Sequence, residues 1–126
     1  MNDIGQSPFK GKKGFKRIVQ ATNYSFAGLR AAWEFEAAFR QICTLAVVGV
    51  SWAFFMPMPI WMCGLIVLSH MLSVIVEILN SAIEAAVDHT SLEHNPLAKR
   101  AKDLGSAAQF VSLINILIMW LIAIYK

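Results

Sequence analysis

The chain has 126 residues, of which 57% are hydrophobic and only 15% are charged. This length suits one domain, and soluble globular domains usually contain about 45–50% apolar and about 25% charged residues. The apolar content excludes a disordered chain, and a net charge of only +3 argues against a nucleic-acid-binding protein. The two cysteines, Cys43 and Cys63, are too few for a disulfide framework or a zinc site.

The N-terminal region is predicted to form a basic tail followed by an amphipathic helix. Residues 1–14 carry three lysines without apolar periodicity and are expected to be a flexible tail. Between Phe15 and Trp33, apolar side chains recur along one helical face. This pattern predicts a helix over about residues 15–35, with an irregularity at Gly28. Such a helix can lie in the membrane interface, and packing on a soluble core is the alternative.

Three apolar segments follow, and each is predicted to be a transmembrane helix. The spans are expected at about residues 38–56, 60–88 and 104–125. The first and third are close to the ~20 residues that cross a bilayer, and the second is longer because polar residues continue its helix beyond Val76. Pro57-Met58-Pro59 separates the first two spans because proline cannot continue a helix. Residues 15–126 are therefore expected to form one all-α, membrane-embedded domain consisting of a surface helix and three transmembrane helices.

The positive charges predict the orientation of these spans. Ten of the eleven Lys and Arg residues lie before Ile42 or between the second and third spans, and only Lys126 follows the third span. The positive-inside rule assigns the charged side to the cytoplasm. The N-terminus is therefore predicted to be cytoplasmic.

The most informative pattern is a row of polar residues on the predicted second span, called here the polar stripe: Glu77, Asn80, Ser81, Glu84 and Asp88. Their spacing places all five on one face of a helix. Glu77 lies about 26 Å along the helix from Ile60, near the boundary of a hydrocarbon core about 30 Å thick. Ionisable groups at this depth are functional candidates, and hydrogen bonding between helices is the alternative.

Other charged groups could meet the polar stripe at the same level. Glu36 with Glu84 could bind Mg²⁺ through oxygen atoms when a phosphate supplies the remaining ligands. Lys102 and Arg100, which lie in the connection before the third span, could bind phosphate oxygens. The alternatives are an ion pair between Glu36 and Arg40 and a purely topogenic role for the basic cluster.

Several catalytic classes lack their sequence motifs. The chain contains no P-loop, HRD, DFG, G-x-S-x-G or HExxH pattern, so a soluble-type kinase, hydrolase or metalloprotease is unsupported. Any nucleotide would have to be bound by helix-borne carboxylates, a metal ion and basic side chains. His70, in the second span, has no second ligand at suitable spacing and is predicted to hydrogen-bond between helices.

Five segments of the chain match those of a known family: Gly14-Phe-Lys-Arg17-Ile, Tyr24-Ser-Phe-Ala-Gly-Leu-Arg30-Ala-Ala-Trp33, Glu36-Ala-Ala-Phe-Arg40-Gln41, Glu77-Ile-Leu-Asn80-Ser-Ala-Ile-Glu84 and Arg100-Ala-Lys102-Asp103-Leu-Gly-Ser106-Ala-Ala. Through these segments, the chain from about Gly14 to Tyr125 resembles the prokaryotic diacylglycerol kinase family. The resemblance implies a homotrimeric enzyme of the bacterial inner membrane, with a surface helix and three transmembrane helices. It also implies transfer of the γ-phosphate of MgATP to diacylglycerol, which gives phosphatidic acid.

The resemblance further implies roles for individual residues. Glu77 would be the general base, Asn80 would support the reacting centre, and Glu36 and Glu84 would bind the metal and contact the nucleotide. The other nucleotide contacts would be Arg17, Tyr24, Glu93, His94, Asn95, Lys102 and Asp103. The lipid substrate would contact Glu77 together with Ala21, Phe26, Arg30, Trp33, Ala38, Gln41 and Ser106.

Three alternative functions are also compatible with the sequence. An undecaprenol kinase would share the acidic residues of the polar stripe, although the amphipathic helix and Arg30-Ala-Ala-Trp33 favour diacylglycerol. A small ion-coupled transporter would use Glu77 and His70 as a proton relay and would place its ionisable residues across the bilayer. A non-enzymatic assembly protein would keep its function when Glu77 is replaced by glutamine.

Overall fold

A computed structural model describes residues 14–90 and 95–125. Residues 1–13 of the predicted N-terminal tail and the candidate nucleotide contacts Glu93 and His94 lie outside the described residues. Within the described ranges the chain forms four α-helices and no strands, which confirms the predicted all-α class. The helices are α1 (Phe15–Phe35), α2 (Ala37–Phe55), α3 (Ile60–Thr90) and α4 (Pro96–Tyr125).

The chain divides into two structural units between Ala31 and Ala32. In the first unit, α1 begins after Gly14, whose positive φ of 69° is readily adopted by glycine. The Gly14 carbonyl accepts hydrogen bonds from the backbone N–H groups of Arg17 and Ile18. The helix then continues without interruption through Gly28, so the predicted irregularity is wrong. A helical glycine costs some stability, but it keeps the N–H that the helix requires.

In the second unit, α2, α3 and α4 are each long and apolar enough to cross a membrane. This finding confirms the predicted number of membrane-spanning helices. With 31 residues, α3 is about 46 Å long and therefore exceeds the thickness of a hydrocarbon core. Its C-terminal turns, which carry Glu84 and Asp88, can extend beyond the apolar layer.

The N-terminus of α4 differs from the prediction. The helix begins at Pro96, so Lys99, Lys102 and their neighbours lie on its first turns and not in a loop. The Asn95 side-chain carbonyl caps this end by accepting hydrogen bonds from the backbone N–H groups of Leu97 (2.8 Å) and Ala98 (3.5 Å). Proline at the first helical position favours the same start because it needs no hydrogen-bond acceptor there.

The three long helices hide polar side chains and expose apolar ones. Helix α3 packs against both α2 and α4, and its buried face carries several polar groups. The outward surface is rich in exposed leucine, isoleucine, valine and phenylalanine side chains. This arrangement suits a lipid environment, in which polar groups must find partners inside the protein. The buried polar residues are Ser69, His70, Ser73, Glu77, Asn80, Gln109 and Ser112.

His70 illustrates how closely the three helices approach. Its side chain is 1% exposed, and Nε2 accepts a hydrogen bond from Trp120 Nε1 of α4 at 3.2 Å. On the other side, Gly49 of α2 leaves room for the imidazole, because a Cβ atom at that position would overlap the ring. The predicted hydrogen bond between helices is confirmed, and α2, α3 and α4 meet at this residue.

Candidate active site

A cavity of about 380 Å³ lies where the polar side of α3 faces α4 and the beginning of α2. It brings together the predicted general base, both predicted metal ligands and two of the predicted lipid contacts, Ala38 and Ser106. Three helices therefore contribute to one site, although their residues are far apart in sequence. The lining residues are Glu36, Ala38, Glu77, Asn80, Glu84, Ser106, Gln109, Phe110 and Leu113.

Glu36 enters the cavity from the junction between α1 and α2. Its backbone is extended (φ −114°, ψ 103°) at the N-cap position of α2, and its carboxylate makes no capping hydrogen bond. Arg40, which was considered as its ion-pair partner, directs Nη1 to the backbone carbonyls of Trp33 (2.6 Å) and Glu34 (3.4 Å). The arginine thus donates hydrogen bonds to carbonyl groups at the C-terminal end of α1 that have no partner within the helix.

Glu77 is the most deeply buried carboxylate in the described ranges, with 4% of its surface exposed. Its Oε2 atom accepts a hydrogen bond from Gln109 Nε2 of α4 at 2.9 Å. Gln109 was not among the predicted site residues. The third span contains two amides, Gln109 and Asn115, and Gln109 is flanked at helical spacing by Ser106 and Ser112. This pattern does not indicate which amide faces Glu77.

Asn80 lies one turn beyond Glu77 and is also buried. Its side-chain Oδ1 has no hydrogen-bond partner within the protein. It lies directly against Gly105 of α4, where a Cβ atom would overlap Oδ1. Because only glycine permits this approach, Gly105 determines how closely Asn80 and α4 can pack.

Beyond the cavity, the polar stripe continues to the exposed end of α3. Glu84 is half-buried and lines the cavity, whereas Asp88 is exposed. Asp88 Oδ1 forms an ion pair with Lys102 Nζ of α4 at 2.6 Å. Asp103 Oδ2 forms a second ion pair with Lys99 Nζ at 2.6 Å. Both predicted nucleotide contacts on α4 are therefore already paired with charged groups in this structure.

Comparison with known proteins identifies the family. A family model described as Prokaryotic diacylglycerol kinase matches residues 23–124. The chain belongs to the prokaryotic diacylglycerol kinase family. It is 54% identical to a protein named Diacylglycerol kinase from Pseudomonas aeruginosa. The 117 compared residues cover 93% of this chain and 95% of that protein. A protein with the same name from Helicobacter pylori (strain 26695) is 47% identical over 90% of this chain and 91% of its own length. Another, from Escherichia coli (strain K12), is 46% identical over 90% of this chain and 93% of its own length.

The chain is thus a membrane-embedded member of a kinase family. Kinases use a metal ion bound to the phosphates of the nucleotide, so the carboxylates of the cavity can be compared with the ligands of such an ion. In the described residues, no group of three or more His, Cys, Asp and Glu side chains forms a metal site. Glu36 and Glu84 nevertheless share one cavity, and Mg²⁺ commonly binds one or two carboxylates together with substrate phosphates and water. These residues fit a metal ion that arrives with a nucleotide, and they do not form a complete protein-only site.

The remaining candidate residues of this diacylglycerol kinase family member lie elsewhere. Gln41 is exposed on α2, and Trp33 is exposed near the end of α1. Asn95 caps α4, so its side-chain oxygen is engaged by the backbone. Their substrate contacts stay predictions. The same holds for the exposed candidates on the part of α1 that belongs to the first unit, namely Arg17, Ala21, Tyr24, Phe26 and Arg30.

Proposed function

We propose that this chain is a diacylglycerol kinase that transfers the γ-phosphate of ATP to the hydroxyl group of diacylglycerol, giving phosphatidic acid and ADP. The observation that carries this proposal is the single cavity that joins Glu77 and Asn80 to the carboxylates of Glu36 and Glu84. Glu77 lies on a long apolar helix, and its distance of about 26 Å from Ile60 would place it at the depth of a lipid hydroxyl. Glu84 lies nearly two turns further along, toward the polar end that would meet water.

In the proposed reaction, Glu77 acts as the general base. The hydroxyl proton of diacylglycerol passes to the Glu77 carboxylate while the hydroxyl oxygen bonds to the γ-phosphorus. The bond between the γ-phosphorus and the oxygen bridging to the β-phosphate breaks, and ADP leaves. Phosphoryl transfer depends mainly on positioning and charge neutralisation, so few protein groups are needed.

Glu36 and Glu84 would hold Mg²⁺ together with phosphate oxygens of ATP, and the ion would neutralise negative charge on the phosphates. Arg17, Tyr24, Lys102 and Asp103 are the further nucleotide contacts that the family resemblance implies. Lys102 can exchange its carboxylate partner Asp88 for a phosphate, because both are anionic acceptors and the pair is solvent-accessible.

The proposed location is the bacterial inner membrane, with the N-terminus and the cavity on the cytoplasmic side. The distribution of Lys and Arg supports this orientation, and cytosolic ATP requires it. The family resemblance suggests a homotrimer. The transporter alternative finds less support, because the ionisable acids of α3 are confined to Glu77, Glu84 and Asp88 and do not cross the span.

The test is transfer of radiolabelled γ-phosphate from ATP to lipid in mixed micelles, with diacylglycerol and undecaprenol as separate acceptors. Wild type, Glu77→Gln and Glu84→Gln are compared with Glu34→Gln, a carboxylate-to-amide control outside the cavity. We expect diacylglycerol to be the preferred acceptor. Loss of the general base should lower kcat by about 10²–10⁴-fold, whereas Glu84→Gln should chiefly raise the Mg²⁺ and ATP concentrations required.

Two outcomes would contradict the proposal. Preferential labelling of undecaprenol would reassign the acceptor while leaving the kinase chemistry intact. Glu77→Gln activity equal to that of Glu34→Gln would remove Glu77 from the reaction.

A further inference from the structure

Gln109 is a buried amide on a helix whose neighbouring side chains are mostly apolar. Only 8% of its surface is exposed, and a buried amide is costly unless its donors and acceptor are satisfied. Its side chain reaches from α4 to α3, where it meets two residues spaced one turn apart, Ser73 and Glu77. Gln109 therefore connects the candidate general base to a polar group deeper in the bundle.

The hydrogen bonds of Gln109 define which end of the amide faces Glu77. The nitrogen atom Nε2 donates to Glu77 Oε2 at 2.9 Å and to the backbone carbonyl of Ser73 at 3.3 Å. The oxygen atom Oε1 accepts from the hydroxyl groups of Ser73, at 3.2 Å, and of Ser112. An ionised carboxylate only accepts hydrogen bonds, so the amide nitrogen must face it. The two hydroxyl groups stabilise the same orientation from the opposite end.

This contact also acts against electrostatic repulsion inside the cavity. Glu36 and Glu84 line the same cavity as Glu77, and like charges repel one another more strongly where water is partly excluded. A hydrogen bond from a neutral amide holds Glu77 Oε2 on the α4 side without adding a charge. In the proposed reaction, the second carboxylate oxygen, Oε1, would then accept the proton of the substrate hydroxyl.

We propose that Gln109, held by Ser73 and Ser112, is a positioning residue that orients the Glu77 carboxylate toward the lipid hydroxyl. This inference rests on the proposed function, because it requires Glu77 to be the general base. A residue that orients the base acts on the chemical step and leaves ATP and lipid binding unchanged. Its loss should therefore lower kcat at constant KM.

The first experiment measures kcat and both KM values for Gln109→Leu in mixed micelles. We expect kcat to fall about tenfold, which corresponds to about 1.4 kcal/mol of lost transition-state stabilisation, with KM for ATP and for diacylglycerol unchanged. The matched control is Asn115→Leu, an amide-to-leucine change on the same helix. Asn115 lines a separate cavity with Leu72 and Val76, so its kcat should equal that of wild type.

A milder variant and a spectroscopic measurement test the proposal even if Gln109→Leu misfolds. Ser112→Ala keeps the amide but removes one hydroxyl donor, and it should lower kcat about two- to fivefold. In NMR spectra of ¹⁵N-labelled protein, the Gln109 side-chain NH₂ signal is assigned by its absence in Gln109→Leu. We expect that signal to shift in Glu77→Gln, because the charged acceptor is lost, and to remain in place in Asn115→Leu.

The results separate failure of this inference from failure of the proposed function. If Glu77→Gln is inactive while Gln109→Leu and Ser112→Ala keep wild-type kcat, Gln109 does not position the base. An increase in KM without a change in kcat would likewise overturn the inference. If Glu77→Gln is fully active, the proposed function itself is wrong, whatever the Gln109 variants show.

Discussion

Glu77 shows how a buried carboxylate is accommodated in an apolar bundle. A charge in such surroundings is costly unless it is hydrogen-bonded, paired or hydrated. Glu77 has one hydrogen bond from Gln109, and it also borders a cavity shared with Glu36 and Glu84. It is thus held on one side and borders the cavity on the other, as the proposed general base requires.

Gly105 provides a test of the packing around Asn80. In Gly105→Ala the new methyl group would overlap Asn80 Oδ1, so that Asn80 must rotate or α4 must move away. We expect kcat to fall about tenfold and the free energy of unfolding to fall by about 1–3 kcal/mol, as in other overpacked sites.

The control for this substitution is Gly64→Ala on α3, because a Cβ atom at Gly64 would meet no neighbouring atom within 4 Å. This variant should match or slightly exceed wild-type stability, since alanine favours the helix more than glycine does. Equal kcat and thermal stability in both variants would show that the contact between Asn80 and Gly105 affects neither catalysis nor stability.

The acidic residues of the site could be predicted from the sequence, whereas Gln109 could not. Glu77 and Glu84 stand out because the helical period places them on one face of an apolar helix. The partner of Glu77 depends on which face of α4 turns toward α3. Helix α4 is apolar on most sides, so its periodicity does not reveal that face. The pairing of Lys102 with Asp88 was missed for the same reason.

Among the helices, α4 shows how local chemistry decides a boundary. Hydropathy predicts where a helix enters the membrane, but it does not predict where the helix begins. Asn95 and Pro96 begin α4 well before its apolar segment, and so the basic residues of its first turns have fixed angular positions. The number and order of the helices could be predicted from the apolar segments, and this start could not.

The N-cap is tested with Asn95→Ala and Asn95→Ser. Removal of the capping oxygen in Asn95→Ala should lower the free energy of unfolding by about 1 kcal/mol. Asn95→Ser should keep most of this stabilisation, because serine also caps helices. Denaturation in mixed micelles, followed by circular dichroism, measures the difference. If Asn95 also contacts the nucleotide, KM for ATP should rise in both variants. An unchanged KM in both would remove Asn95 from the nucleotide site.

For the molecule as a whole, orientation across the membrane is the property that the proposed chemistry requires. Single cysteines are introduced as Pro57→Cys and Leu97→Cys, both at exposed positions, in a background carrying Cys43→Ala and Cys63→Ala. With a membrane-impermeant maleimide, Pro57→Cys should react in right-side-out spheroplasts and Leu97→Cys in inverted vesicles. The opposite labelling pattern would place the N-terminal end of α4 outside the cell, where cytosolic ATP is absent.

The polar interior of the bundle also has a thermal consequence. In soluble proteins, cohesion that depends on expelling water from apolar surfaces weakens on cooling and contributes to cold denaturation. Here the contacts between helices include Gln109 with Glu77, Trp120 with His70 and the close approaches at Gly49 and Gly105. Lipid surrounds the bundle in both its associated and separated states, so water release contributes little to helix association. The association of α2, α3 and α4 should therefore persist in chilled membranes, where stiffening of the acyl chains and not loss of tertiary structure would limit turnover.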